Sequence, residues 1–516
     1  MNEYFVVVTE PQYKEEIHQE LLAAHGTDPI PNRPVTCQDD MPFSEYNGIF
    51  LLTDAEAEQL RTDPRVSDVH QPPEALGIIR RPNGTRTGQY DKDPSSMTNV
   101  MKNWGIGRCV SLTNNFGSAT STSTYTYNLT GAGVDIIVID TGVEPGHPEF
   151  TVNADGTGGS RVVDYDWTQL GAITSVPTGG FLGDNEGHGS NCASIAAGNT
   201  QGWASGAAIY SLRILDSTTN RDITDNRVLA SVDELQAWQS IRLFHLAKPI
   251  TLTGYRRPTI VTASYGYLAP YVAMTSITYR GVTHATNTTT GYAALYGTIG
   301  TAENSAGGSH GYRYSALDAE VTSVIAAGVI VVGSAGNDAH KIDVSTGSDY
   351  NNYWTGSIYG SVYYHRGASP GCASGVITVG AISYSIPEHK ISFSCTGPKV
   401  AVFAPGSVIT GAWSSVASAL PSVQDPRNSS YWLNKLSGTS MACPQVTGVS
   451  ALLLELRPQY TATDVLNFIK GSSAKGLLSE TFYGQVGTYT NFASLQGAGN
   501  NYLYMPFNLP NPLTIT

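Results

Sequence analysis

Apolar positions in the first part of the chain follow two different spacings. YFVVVTE (4–10), YNGIFLLT (46–53) and RVSDVHQ (65–71) are short apolar or alternating runs and predict strands. YKEEIHQELLAAHG (13–26) spaces its apolar residues as a helix does and stops at a glycine. TDAEAEQLRTDP (53–64) opens with Thr53 and Glu56, a capping-box pair, and predicts a second helix. The order β-α-β-α-β predicts a small two-layer α+β unit of ferredoxin-like type over 1–75.

Between 72 and 103 the pattern dissolves into Pro, Gly, Ser and mixed charge. This predicts an exposed linker over 76–103, with a processing site in it. A new pattern then begins. GVDIIVID (133–140), AIYSLRILD (208–216), TIVTASYG (259–266), GVIVVGSAGN (328–337) and GVITVGAIS (375–383) are apolar throughout, as strands buried on both faces are. Helical stretches lie between them, including 226–247 and 315–328. The expected fold over 104–474 is α/β, a parallel sheet with helices on both faces. Functional residues of such sheets gather at the carboxyl ends of the strands. Residues 267–312 and 412–434 do not fit a minimal α/β core and are expected to be surface insertions. Residues 475–516 form a C-terminal extension: an added strand, a docking segment or a loose end.

Composition narrows the partners. The 516 residues carry a net charge of −13, which argues against nucleic acid. No apolar run reaches the roughly 20 residues of a membrane-spanning helix, so no membrane partner is expected. None of the six cysteines forms a CxxC pair, which argues against zinc; Cys192 and Cys443 lie in apolar helical runs and read as buried free thiols. The opening MNEYFVVVTE lacks the basic and apolar regions of a secretory signal, and no location is assigned.

The chemistry begins at LSGTSMACPQVTGVSALLLEL (436–456), where Ser440 stands at the mouth of a buried helix. It is either a helix cap or a nucleophile beside backbone N–H groups that can stabilise an oxyanion. A nucleophile needs a base, and the base needs an orienting group. Asp140 ends the strand in VIDTGVEPGHPEF, His188 stands between glycines in DNEGHGSNCASIAAG, and Asn337 follows a strand in VVGSAGND. Each alone has an ordinary structural explanation: a cap, a satisfied core histidine, a turn amide. Together they supply the acid, base, amide donor and serine of a hydrolytic site, in the order Asp…His…Ser.

These blocks, VIDTGV…HPEF, GHGSNCASIAAG, SAGND and LSGTSMACPQVTG, resemble the four signature blocks of the subtilisin-like serine proteases, the subtilases, over roughly 104–473. The resemblance implies Asp140, His188 and Ser440 as a catalytic triad and Asn337 as the oxyanion donor. It implies Ser264, Tyr265 and Gly266, with Ser334, Ala335 and Gly336, as backbone segments that bind an extended peptide. It implies that residues 1–75 are a propeptide, inhibiting the enzyme intramolecularly until autocatalytic removal. Substrates would be proteins or peptides, cleaved by a serine endopeptidase that requires no cofactor for its chemistry. Asp338, beside the oxyanion asparagine, is a candidate for favouring a basic P1 residue. The chain departs from the family pattern at Asn191, Cys443, Gln445 and Thr447, none of them catalytic. Ala401 stands where relatives often carry a calcium-binding aspartate, so structural calcium is unsupported there; the acidic loop 184–186 leaves other calcium sites open.

Two rival readings have other chemistry. One is a structural or binding protein that keeps this fold without turnover, a reading motivated by the unusual insertions and tail and opposed by the intact Asp140, His188, Asn337 and Ser440. A lipase or esterase would be expected to carry GxSxG around its serine, and this chain has GTSMA.

Overall fold

The computed structural model describes residues 1–23, 28–40, 46–71, 84–91, 102–114, 120–177, 179–215, 234–252, 254–270, 274–285, 309–356, 360–415, 422–481 and 492–505. The chain divides into a smaller unit, chiefly Met1–Pro82 with Lys248–Arg257, and a larger one, Asn83–Ala247 with Pro258–Asn508.

In the smaller unit the strands run Thr36–Asp39, Asn47–Leu52, Asn2–Val8, Val66–His70 across one antiparallel sheet. The three expected strands and two helices, Gln12–Leu22 and Asp54–Leu60, are present. The strand Thr36–Asp39 was not expected; it is short and mostly polar, so it carries no apolar period. With it the order is β-α-β-β-α-β, the ferredoxin-like arrangement. The Thr53–Glu56 capping box forms as read: Thr53 N–H donates to Glu56 Oε2 (2.7 Å) and Glu56 N–H to Thr53 Oγ1 (3.2 Å). Val6, Ile17, Leu21, Phe50, Leu52, Leu60 and Val69 fill the core. Lys248–Arg257 belongs to this unit although it lies within the stretch assigned to the larger domain; the Leu252 N–H donates to Asp40 Oδ2 at 2.9 Å.

The larger unit holds a nine-stranded sheet. Its order is Ala474–Lys475, Asn501–Tyr502, Val402–Pro405, Ile377–Ile382, Ile330–Ser334, Thr259–Ala263, Asp135–Asp140, Ala208–Arg213 and Val162–Val163. All these neighbours pair in parallel except Ala474–Lys475 with Asn501–Tyr502. The strand Asp135–Asp140 shows why both faces are covered. Ile136 and Val138 join the core beneath the helices His188–Ala197 and Thr439–Leu456. Ile137 and Ile139 join a second core with the helices Glu234–Ala247 and Ser315–Ala326 on the other face. Burying one such side chain contributes roughly 1.5–3 kcal/mol. Among the described residues no helix is long and apolar enough to cross a membrane.

Two expectations need correction, and the insertions gain detail. Within the expected linker, Gly84–Asp91 is a strand paired antiparallel with Thr120–Tyr127 over its eight residues; residues 72–83 and 92–101 lie outside the described residues. The boundary at 474/475 does not separate packing units, because Leu478, Leu495, Tyr502, Leu503 and Met505 are buried in the main core. The insertions carry small sheets of their own. Met274–Tyr279 and Val282–Ala285 form a four-stranded sheet with Tyr353–Gly356 and Gly360–Tyr363, over a small core with Met274, Ile277 and Trp354. Ser422–Asp425 and Ile409–Trp413 flank Asn428–Leu436 in a three-stranded sheet. All six cysteines are free.

Candidate active site

Asp140 ends the strand Asp135–Asp140 and is fully buried. Its Oδ1 accepts from the Thr141 N–H at 2.8 Å and faces His188 Nδ1 at 2.8 Å. Burial disfavours a charge on the His188 ring, but the Asp140 carboxylate outweighs it and holds the imidazolium pKa well above 6.5. His188 is the first residue of the helix His188–Ala197. Gly187 before it has φ +112, and a Cβ there would lie 2.4 Å from the Trp413 ring. A Cβ at Gly189 would meet the Gly142 carbonyl oxygen at 2.0 Å. The two glycines thus let neighbouring backbone and the Trp413 ring close directly around the histidine.

Ser440 is the second residue of the helix Thr439–Leu456, which has no side-chain cap. Its hydroxyl donates to the Ser264 carbonyl at 2.9 Å, so capping is not its task. Pro444, four residues on, has no N–H to give the Ser440 carbonyl. That carbonyl accepts instead from Ser264 Oγ (3.0 Å) and Cys192 Sγ (3.5 Å). Cys192 Sγ also lies 3.9 Å from His188 Nδ1, so one thiol touches both the histidine and the serine residue. The hydroxyl and the imidazole are not hydrogen-bonded to each other here, a looseness common in sites without substrate.

Asn337 is oriented by the residue before the serine. Its Oδ1 accepts from both the N–H and the hydroxyl of Thr439, each at 2.9 Å. With the amide oxygen held, Nδ2 points past Gly438, where a Cβ would lie 3.6 Å from it. An amide N–H and the N-terminal backbone of the serine helix therefore flank the same space. Thr439 Oγ1 in turn accepts from the Gly336 N–H at 3.2 Å. Sequence reasoning missed Thr439, although it stands in the quoted GTSMA block.

The model of the subtilase family, Peptidase_S8, matches residues 131–499. The chain belongs to the subtilase family. An extracellular serine proteinase of Thermus sp. (strain Rt41A) is 27% identical over 80% of this chain and 67% of its own length. Subtilisin-like proteinase Mp1 of Magnaporthiopsis poae is 27% identical over 71% of this chain and 63% of its own. Alkaline serine exoprotease A of Vibrio alginolyticus is 25% identical over 83% of this chain and 55% of its own. The chain thus spans roughly half to two thirds of these relatives' lengths. The crystal structure of a cold-adapted subtilisin-like serine proteinase is similar with a TM-score of 0.46 and 22% identity, over 78% of this chain and 97% of that one.

Of the two segments expected to bind substrate in this subtilase, one contacts Ser440 and the other contacts Thr439 beside it. Ser264 contacts Ser440 through its carbonyl and its hydroxyl. Ser334 ends the strand Ile330–Ser334, Ala335 N–H donates to the Val379 carbonyl (2.9 Å), and Gly336 is tied to Thr439. Gly266 forms an isolated bridge with Pro370. Tyr265 turns away from Ser440, its hydroxyl donating to Glu234 Oε1 at 2.5 Å beneath the helix Glu234–Ala247. Asp338 is half-buried and 3.5 Å from the donating Ser309 hydroxyl. Burial pushes its pKa up, which works against a fixed negative charge for a basic P1 residue.

The departures from the family pattern have structural partners. Asn191 Nδ2 donates to Asn434 Oδ1 (3.0 Å) and the Ala412 carbonyl (3.2 Å), in the sheet next to Trp413. Gln445 Oε1 accepts from Trp203 Nε1 (2.6 Å), and its amide donates to Asn103 Oδ1 (3.0 Å). Cys443 is buried, its pKa pushed up to about 12 by that burial. Thr447 Oγ1 donates to the Cys443 carbonyl at 3.3 Å.

Ala401 has no carboxylate, and its own carbonyl accepts from Asn501 Nδ2 at 2.9 Å. Asp184 is buried and already takes the Thr141 hydroxyl (3.0 Å) and the N–H groups of Glu186 (3.2 Å), Gly187 (2.7 Å) and Ser190 (2.8 Å). Sequence reasoning offered Asp184 only as an acidic loop residue; the structure makes it the anchor of the loop that carries His188. Among the described residues, the potential metal donors that cluster are Asp140, His188 and Cys192, within 4.8 Å of one another.

Proposed function

We propose that the chain is a serine endopeptidase that hydrolyses peptide bonds through an acyl-enzyme on Ser440. The observation that carries this reading is the 2.8 Å Asp140–His188 pair, which shares the Cys192 thiol with the residue at the mouth of the serine helix. His188 takes the Ser440 proton as the hydroxyl oxygen attacks the scissile carbonyl. Asp140 fixes the ring with its Nδ1 protonated and stabilises the imidazolium that forms. The oxyanion is met by Asn337 Nδ2 and the Ser440 N–H. His188 then gives its proton to the leaving amine, and water repeats the sequence in reverse to release the acid. Ser264–Gly266 and Ser334–Gly336 hold the substrate as an added strand.

Residues 1–75 act as an inhibitory propeptide, released by the enzyme's own cut between 76 and 103. Their ferredoxin-like order and the Pro-, Gly- and Ser-rich stretch after them support that role. The test is the intact mass of the purified chain, wild type beside Ser440→Ala, followed by turnover of a protein substrate. Loss of an N-terminal piece by the wild type alone, with turnover, is the expected result. Equal trimming of both removes the self-processing claim, and absence of turnover removes the peptidase reading.

A further inference from the structure

Beyond the strand Thr259–Ala263 the chain runs on through Ser264, Tyr265, Gly266 and Tyr267. Gly266 forms an antiparallel bridge with Pro370, and the Tyr267 N–H donates to the Ser369 carbonyl at 3.1 Å, so this stretch continues as an extended edge. Side chains along an extended segment alternate between its two sides. Ser264 turns to the serine helix, where its hydroxyl donates to the Ser440 carbonyl at 3.0 Å. Tyr265 and Tyr267 turn the other way and meet at one carboxylate. The Tyr265 hydroxyl donates to Glu234 Oε1 and the Tyr267 hydroxyl to Glu234 Oε2, each at 2.5 Å. Glu234 is buried and is the first residue of the helix Glu234–Ala247. An acid suits the first helical turn, but a buried carboxylate needs donors as well. One turn further on, Trp238 Nε1 donates to the Tyr265 hydroxyl at 3.2 Å. Burial and the adjacent carboxylate hold the Tyr265 phenol well above 10, so it stays a donor at neutral pH. Trp238, Ile241 and Phe244 bury this helix against the sheet. The segment is therefore gripped at Ser264 by the serine helix and at Tyr265 and Tyr267 by a helix on the other face. A backbone edge fixed beforehand loses little freedom when a peptide pairs with it.

Given the peptidase reading, we propose that Glu234 is a positioning residue for the substrate strand: its carboxylate clamps the two tyrosine hydroxyls and holds Ser264–Gly266 in the shape with which an extended peptide pairs. Glu234 touches no reacting atom. Its loss is felt by a substrate according to how far that substrate extends along the segment, and little by the attack of Ser440 itself.

The test compares the full chain with Glu234→Gln, which keeps the shape of the side chain and removes its charge. Each is given a peptide amide extending several residues before the scissile bond, a single-residue ester without that extension, and a fluorophosphonate label. The expected result is a roughly tenfold fall in kcat/KM for the peptide, carried by KM, with the ester and the labelling rate within about twofold of the parent. Equal losses on peptide and ester would make Glu234 a group of general structure and overturn the proposal. An unchanged KM for the peptide would overturn it too. Tyr267→Phe removes one of the two phenols and should show the same split in smaller measure; it takes the place of Glu234→Gln should that variant fail to fold. A parent chain that neither labels nor cleaves would end the peptidase reading and the clamp with it, whereas an active parent whose variants show no split would end the clamp alone.

Discussion

Two buried carboxylates close to the same helix are treated in opposite ways. Glu149 is sealed. Arg427 Nη2 (2.5 Å), the Thr200 hydroxyl (2.5 Å) and the N–H groups of Thr200 (2.9 Å) and Gln201 (3.0 Å) all donate to it. Burial alone would raise its pKa, but the Arg427 charge and these donors bring it down to about 2. Asp140 is left half-used. Its Oδ1 serves Thr141 and His188, while Oδ2 has no hydrogen-bond partner among the described residues. No arginine or lysine neutralises Asp140 among the described residues' ion pairs; its partner is a titratable ring. A structural charge is neutralised permanently, whereas a working charge is left facing a group that can gain and lose a proton.

That contrast yields a graded set of expectations. Ser440→Ala should lower kcat by roughly 10⁶-fold, the size known for the corresponding serine of subtilisin, read in a peptide assay. Asp140→Asn should cost roughly 10⁴-fold, and a pH–rate profile should show a second change. With His188 raised well above 6.5, wild-type activity climbs as pH rises through that raised value, because the base must be neutral. The Asn variant should move this limb to lower pH. Asn337→Ala should cost roughly 10²–10³-fold in kcat. Thr439→Val, which removes one of two bonds to the Asn337 oxygen, should cost about fivefold to tenfold, one net hydrogen bond.

Glu149→Ala should act on stability and little on the chemical step. It leaves the guanidinium of Arg427 with Asp425 alone (2.6 Å) and costs about 3–5 kcal/mol, read as a lowered denaturant midpoint. The pH dependence has a definite sign. A carboxylate whose folded pKa is about 2 against an ordinary 4.5 contributes stability that is complete above 4.5 and fades as pH falls towards 2. The Ala variant should lack that acid-labile part.

The parallel sheet and the four polar residues at its strand ends and helix starts were legible because both follow from strong local signals. Strands buried on both faces must be apolar throughout, and a histidine between glycines or a serine before a small-residue helix is visible in a short window. The missed features are those whose reason lies far off in the chain. Thr36–Asp39 pairs only because Asn47–Leu52 offers it an edge. Asn501–Tyr502 is two residues long and is a strand only because Val402–Pro405 and Ala474–Lys475 lie beside it. The Ser440 carbonyl is freed by Pro444 but satisfied by Ser264 and Cys192, 176 and 248 residues away in sequence. Asp184 was visible only as an acid; four donors converging from Thr141 to Ser190 make it an anchor.

The central claim is that Ser440 is a nucleophile activated by the half-used Asp140–His188 pair. The most direct measurement is covalent labelling with a fluorophosphonate, followed by peptide mass mapping of wild type, Ser440→Ala and His188→Ala. The account predicts one adduct per wild-type chain, on the peptide containing Ser440, absent in Ser440→Ala and slowed by orders of magnitude in His188→Ala. Labelling of a different serine, or an unchanged rate without His188, would contradict it.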